Sequence, residues 1–341
     1  MSAPGTGLNP ARSLRLSNDK VARPPVPATS AMQRAWCWFK KVVPWVLAAL
    51  VLALMAGQAR TVDWPAVWQA LQSMSVARLA AAAALALTSY GLYAGFDLIG
   101  RRLTGHTLSV SRTLGIAAIS YAFNLNFGAW IGGIGLRLRL YSRWGVAVPT
   151  VLQVVTYSMA TNWLGYLWVG GAVLWWATPQ LPSTWQIPGN GLRSIGLLMA
   201  AAALAYLVMC RFSRRRQLSW RAHTLALPSG RVAALQAVTG GANWLLIGAI
   251  VWALLDGRID YPSVLGTMLL AAVVGVVTHV PANLGVLEAV VVAMLGARLP
   301  AHELLAAMLA YRAAYCLLPL VFALPAYGLS EAAARRAGPA A

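Results

Sequence analysis

The sequence predicts an all-α polytopic membrane protein with about six full spans and two opposed re-entrant helical hairpins, arranged as an inverted repeat. Three observations predict it. Of 341 residues, 59% are hydrophobic and 10% charged; that is too little polar surface to coat a soluble globule, and the apolar runs reach the roughly 20 residues a bilayer-spanning helix needs. The arginines cluster just outside those runs. Two stretches that hydropathy would bury as helix, Tyr121 to Arg143 and Thr278 to Gly296, are broken. Asn124, Asn126, Gly128, Gly132, Gly133 and Gly135 interrupt the first; His279, Pro281, Asn283 and Gly285 interrupt the second. Irregular backbone at membrane depth survives only where it is buried in protein or lines a cavity. Such breaks at corresponding places in two halves of a chain point to a transporter's binding site.

Residues 1–35, rich in Ala, Ser, Pro and Arg without apolar periodicity, are expected to form a disordered basic cytosolic tail. Trp36, Trp38, Lys40 and Lys41 anchor a first span at Val42 to Gln58. The basic stretch before it is too long for a cleaved signal peptide. Asp63-Trp64-Pro65, followed by Val67, Trp68 and Leu71, reads as a short interfacial helix begun by proline in its first turn. The second span, Val76 to Ile99, carries Gly91 and Gly95 at small-xxx-small spacing for close packing. Long spans are expected at Val148 to Trp176, Ser194 to Cys210 and Val232 to Leu255, and a last one at about Leu304 to Leu329. A single transmembrane domain thus covers residues 36–330, with repeat one at about 42–176, repeat two at about 193–329 and a short cytosolic tail at 331–341.

Charge decides the topology. If Thr113 to Phe127 crossed fully, every later loop would invert and export Arg211, Arg214, Arg215, Arg216 and Arg221, against the positive-inside bias. A hairpin at 113–136 on the cytosolic side, and another at 263–297 on the outer side, remove the conflict. Of 27 basic residues, 21 then lie inside; Arg60, Arg78, Arg193, Arg258 and Arg298 lie outside, and Arg312 falls within the last span. Both termini are cytosolic in this arrangement. The net charge of +19 accordingly reflects topology and anionic lipid headgroups, and no nucleic-acid partner is expected.

Three clusters carry polar chemistry. In IGGIGLRLRLY, residues 131–141, Gly132, Gly133 and Gly135 precede a helix, so free N–H groups and the helix dipole would favour a phosphate, held with Arg137 or Arg139. The two arginines cannot share one helical face, and the alternative is that both are ordinary interfacial arginines fixing topology. No strand is expected before the glycines and their spacing is wrong, which excludes a dinucleotide fingerprint. In the second cluster Glu288 is an acidic residue deep in an apolar stretch, a functional candidate or a dipole-complementing cap behind Asn283 and Gly285. In the third, Arg312 lies mid-span between Tyr311 and Tyr315, and Glu288 is its expected partner. Asp97 is expected to pair with Arg101, one turn on.

Catalytic arrangements are thin. His302-Glu303 meets Ala306 where a metalloprotease needs histidine, and there is no CxxC or GxSxG. Cys37, Cys210 and Cys316 read as packing residues. Neither enzymatic activity, nor a metal, nor a cofactor is expected. Trp163, Tyr166, Trp168, Trp175 and Trp176 read as interfacial belt and packing.

Four ordered motifs, YAFNLNFGAWIGGIGLRLRLYSRWG, TNWLGY at 161–166, HVPANLGVLEAV at 279–290 and LLAAMLAYRAAYCLLPL at 304–320, resemble the transmembrane family of the lysylphosphatidylglycerol synthase and flippase, in its stand-alone YbhN-type branch. The chain departs from the family's usual pattern at Asn283 and Cys316. The resemblance implies a bacterial inner-membrane protein and, by similarity to the flippase portion of bifunctional members, movement of a phospholipid with an anionic or phosphate-bearing headgroup between leaflets. The expected binding set is Asn124, Asn126, Gly132, Gly133, Gly135, Arg137, Arg139, Tyr141, Asn283, Gly285, Glu288 and Arg312. Two other readings stay open: a non-catalytic membrane partner of a phospholipid-synthesising or phospholipid-modifying enzyme, and, less favoured, an embedded lipid-modifying transferase.

Overall fold

The computed structural model describes residues 63–177, 189–214, 216–220, 223–278 and 280–336, which belong to one unit, Ala53–Ala341. The expected tail, the first span at 42–58, Cys37 and His279 lie outside the described residues.

Asp63 caps the first helix, its Oδ1 accepting from the Ala66 N–H at 3.1 Å, and Pro65 occupies the first turn of α1, Trp64–Gln72. Proline suits this position because its missing N–H would have had no helical partner. Val67 is buried while Trp64 and Trp68 are exposed, the two-sided pattern of an interfacial helix. Ser75 caps α2, Val76–Thr104, which ends on Gly105 in the left-handed region. Ser109 caps α3, Val110–Phe127. Gly128, at φ +87°, then turns the chain back on itself. A π-helical segment, Ala129–Gly135, runs without interruption into α4, Leu136–Arg143. Five further α-helices follow: α5 at Val148–Trp176, α6 at Gly189–Phe212, α7 at Gly230–Leu254, α8 at Tyr261–Thr278 and α9 at Val286–Leu295. Between α6 and α7 a two-stranded antiparallel ribbon pairs β1, Gln217–Trp220, with β2, His223–Ala226. The last long rod is α10, Ala301–Tyr311, a π-helical segment Arg312–Leu317, and α11, Leu318–Arg336. Its helix runs to Arg336, into the expected tail at 331–341.

The described chain is all-α apart from the ribbon. Among the described residues, five helices are long and apolar enough to cross a membrane: Val76–Thr104, Asn190–Phe212, Gly230–Leu254, Tyr261–Thr278 and Ala301–Ala332. The expected span at Val148 to Trp176 coincides with α5, whose 29 residues correspond to about 43 Å of helix. Its polar Gln153, Ser158, Thr161 and Asn162 keep it out of the apolar set. Conversely α8, read from sequence as an arm of the outer hairpin, is by length and composition able to cross.

The helices meet at glycines, though not at the expected ones. Among the described residues, an added Cβ at Gly91 or Gly95 would meet nothing within 4 Å. Within that set these two give α2 no close partner, contrary to their spacing. The close crossing lies between α5 and α7, where a Cβ on Gly165 would sit 2.1 Å from the Gly240 carbonyl carbon. Gln236 reinforces it by donating to the Thr161 hydroxyl at 3.0 Å, as does Trp244 by donating to the Asn162 carbonyl at 3.1 Å. The largest core cluster among the described residues packs Ile250, Leu254, Leu255, Val264, Leu304 and Met308, at full burial or nearly so, and takes in Tyr121 and Val291 from the two chain reversals that form the candidate site.

Candidate functional site

Each broken stretch turns back within itself, for a different local reason. In the first, Gly128 ends α3 with a positive φ that only glycine adopts freely, and the returning π-helix lies against the arm it left. A Cβ on Gly132 would fall 2.0 Å from the Asn124 backbone nitrogen, and one on Gly133 would fall 3.1 Å from Asn124 Oδ1. In the second, Ala282 (φ 57°), Asn283 (φ 50°) and Gly285 (φ 72°) all sit in the left-handed region. For the two non-glycine residues this costs roughly 1–2 kcal/mol each, so surrounding contacts must hold them. Asn283 presses on α8 at Gly275, where any Cβ would lie 2.5 Å from its side-chain amide.

Arg312 holds the second turn from outside. Its guanidinium grips Glu288 with two parallel bonds, Nε to Oε1 and a terminal nitrogen to Oε2, the latter at 3.1 Å. Other terminal N–H groups donate to the Ala282 carbonyl at 3.1 Å and the Asn283 carbonyl at 2.8 Å. The pairing expected from sequence is therefore present, with two strained carbonyls added to it. Arg312 also starts a π-helical segment, whose wider turn leaves carbonyls open. Asn126 donates to the Cys316 carbonyl at 3.0 Å and Tyr90 to the Tyr315 carbonyl at 3.1 Å, which satisfies two of them.

Where the end of α3 touches the 281–283 turn, the two reversals enclose a cavity of about 210 Å³, with Asn124, Asn162, Trp244, Asn283, Tyr311 and Arg312 among its walls. That volume holds several water molecules. Tyr93, Tyr121 and Tyr315 complete its aromatic side. Behind them runs a buried hydroxyl chain: Tyr121 to Tyr315 at 2.8 Å, Tyr315 to Ser89 at 2.8 Å, and Ser89 donating to Asn243 Oδ1 at 2.7 Å. Asn243 Nδ2 is buried without a partner among the described residues.

Several expected site residues lie elsewhere. Arg137 is sealed, with its side chain 2% exposed, and it grips Asp97, 0% exposed, through Nε at 2.9 Å and a terminal nitrogen at 3.1 Å. It also donates to the Gly133 carbonyl at 2.9 Å. Tyr141 and Ser158 donate to the same carboxylate at 3.0 and 2.5 Å. Asp97 therefore does not pair with Arg101, whose Nε donates instead to the Leu108 carbonyl at 2.6 Å. Arg139 points the other way, onto Glu331 of α11 at 2.9 Å, and Arg143 reaches the same carboxylate. The glycines do not form an anion nest either. Their N–H groups belong to a helix that already began at Ala129, with Gly132 donating to the Gly128 carbonyl and Leu136 to that of Ile131. Gly132 and Gly133 serve close approach of the two arms. Of the expected set, Asn124, Asn283 and Arg312 line the cavity, while Glu288 supports it through Arg312 and Asn126 through the Cys316 carbonyl.

Each reversal's returning arm is thus pinned to a neighbouring long helix by one bidentate arginine–carboxylate pair, Arg137 to Asp97 and Glu288 to Arg312. Burial separates their roles. The first is sealed, whereas Arg312 and Glu288 keep 13% and 16% of their side-chain surface.

Comparison with known proteins identifies the family. Residues 42–323 match the family described as "Lysylphosphatidylglycerol synthase TM region". The chain belongs to that family. Within it, the chain is 36% identical over 302 residues to "Inner membrane protein YbhN" of Escherichia coli (strain K12), covering 88% of this chain and 95% of the relative. It is 30% identical over 293 residues to "Uncharacterized protein slr0712" of Synechocystis sp. (strain ATCC 27184 / PCC 6803 / Kazusa), covering 84% and 91% respectively. This lysylphosphatidylglycerol synthase TM-region protein is therefore an integral membrane protein. The matched span contains both reversals, the cavity and both arginine–carboxylate pairs. Sequence reasoning missed Tyr93, Ser89, Asn243 and Trp244 because single polar or aromatic residues in apolar helices read as belt or packing; the TNWLGY motif did include Asn162.

Proposed function

We propose that the protein translocates a phosphate-bearing phospholipid between the leaflets of the bacterial inner membrane. The observation that carries this reading is a polar cavity at the junction of two chain reversals, one from each half of the chain, with a reachable arginine in its wall. In the proposed topology there are six full spans, counting one at residues 42–58, and both termini are cytosolic. The reversal at 110–143 enters from the cytosolic side and that at 261–295 from the outer side, as opposed hairpins of an inverted repeat. Their junction is then near the bilayer midplane, where either hairpin, by parting, opens the cavity to one leaflet. A headgroup phosphate exchanges its water for Arg312 and neutral donors, while the acyl chains stay in lipid.

The name of the E. coli relative supports an inner-membrane location. The protein is read as a transporter rather than an enzyme because, among the described residues lining the cavity, Arg312 is the charged one and its carboxylate partner Glu288 answers that charge, an arrangement suited to holding a headgroup rather than to acid–base chemistry on it. Reconstitution into liposomes with acyl-labelled phospholipids tests the proposal. Wild type is expected to exchange label between leaflets. Replacing Glu288 and Arg312 together by leucine and methionine leaves no lone buried charge and is expected to abolish exchange, with Arg139→Ala close to wild type. Exchange no faster than in empty vesicles, under every ion gradient, would favour the non-catalytic partner of a lipid enzyme.

A further inference from the structure

We infer that the cavity selects a zwitterionic headgroup, one phosphate and one ammonium, over a net anionic one. The inference rests on the translocation reading above and names its substrate class. Among the described residues lining the cavity, Arg312 is the charged one, and its charge is matched by Glu288 on the same guanidinium. The remaining walls are tyrosine, asparagine, tryptophan and apolar side chains. The described walls with Glu288 therefore carry no net charge, unlike an anion site, which presents uncompensated cations.

The hydrogen bonds of Arg312 explain how a headgroup would enter. A guanidinium has five N–H donors; here four are engaged, two on Glu288 and one each on the Ala282 and Asn283 carbonyls. A phosphate can approach through the remaining donor, then take the bonds that Glu288 gives up. An ammonium two carbons away from the phosphate restores what Glu288 loses. The exchange keeps the site neutral at every stage, because the pair and the zwitterion carry the same two charges. An anionic headgroup such as phosphoglycerol supplies no such cation. It leaves its phosphate and Glu288 as two like charges about 6 Å apart, at an effective dielectric near 20, a penalty on the order of a hundredfold in binding. The Asp97–Arg137 pair offers no such exchange, being sealed from the cavity, with its carboxylate already accepting from Arg137, Tyr141 and Ser158.

Two measurements on the full chain test this. The first is binding alone: thermal stabilisation of the micellar protein by dihexanoyl phosphatidylethanolamine against dihexanoyl phosphatidylglycerol. The zwitterionic lipid is expected to half-saturate at a concentration at least tenfold lower. The second is leaflet exchange of acyl-labelled versions of the two lipids, with the same expected preference in wild type. Glu288→Gln makes the cavity net positive and is expected to reverse the preference toward phosphatidylglycerol. Equal or tighter binding of phosphatidylglycerol by wild type overturns the inference. So does a preference that Glu288→Gln leaves unmoved in protein that still elutes as a single folded species. If that variant does not fold, the wild-type binding ratio decides. Selective binding without any exchange would uphold the headgroup assignment and sink the translocation reading.

Discussion

Removing Arg137 should destabilise the protein far more than removing it together with Asp97. The two side chains are 2% and 0% exposed, and the carboxylate accepts from Arg137 twice, from Tyr141 and from Ser158. Arg137→Met leaves that carboxylate in the core with two neutral donors. A buried charge stripped of its partner costs roughly 3–5 kcal/mol, which at about 2 °C per kcal/mol for a chain of this size lowers the melting temperature by roughly 6–10 °C. Asp97→Asn should cost a similar amount, because it strands the guanidinium. The double variant exchanges an ion pair for neutral groups and should cost less than either single one. The assay is thermal unfolding of detergent-solubilised protein across the four-member cycle, followed by intrinsic fluorescence. Single losses below about 1 kcal/mol, or a double variant as unstable as the sum of the singles, would refute the view that this pair is a buried structural lock.

Gly165→Ala should cost about 1–3 kcal/mol through overpacking, since its Cβ would meet the Gly240 carbonyl carbon at 2.1 Å, whereas Gly91→Ala, with nothing within 4 Å among the described residues, should be neutral or gain up to about 1 kcal/mol of helix propensity; melting temperatures of the two distinguish them. Tyr315→Phe removes a hydroxyl shared with Ser89 and Tyr121 and should cost about 1–3 kcal/mol by leaving buried partners unsatisfied, measured the same way. His106, in the turn between α2 and α3, has its pKa lowered by burial and then by the Arg101 charge. A lowered folded value means stability is lost as pH falls from the ordinary histidine range through the folded one. His106→Gln should therefore flatten the fall in melting temperature between about pH 7 and pH 5; an unchanged profile would remove His106 as its source.

The sequence made some of this legible. Bounds such as Val148–Trp176 followed from the length of the apolar run itself. Glu288 and Arg312 were findable because each lacked a partner within its own helix. Arg137 was not, because Asp97 has Arg101 one turn away, and local spacing cannot reveal that the carboxylate faces the core while Arg101 turns to a loop carbonyl. The glycines after Gly128 misled for a related reason. Glycine before a helix and glycine inside a π-helix look alike in sequence; the arm they press against lies eight residues away at Asn124 and is chosen by the fold. The hydroxyl chain through Ser89, Tyr121, Tyr315 and Asn243 joins four separate helical segments, so no local pattern carries it.

The crossing of α5 and α7 has a mechanical consequence. At Gly165, Gly240 and Gly241 the two rods touch backbone to backbone or backbone to indole, and Gln236, Trp244 and Trp168 bolt them with bonds to Thr161, Asn162 and Ala237. Sliding one past the other by a helical turn would drive side chains into contacts that only glycine tolerates, and rotating either would break all three bonds together. The halves of the chain therefore share a stiff axle, and compliance is left to the folded-back arms hinged at Gly128 and Gly285. Each such arm is pinned to a neighbouring rod by a bidentate ion pair, the first arm also by Arg139 and Arg143 on Glu331, and the second arm, held by the more exposed pair, is the more easily released.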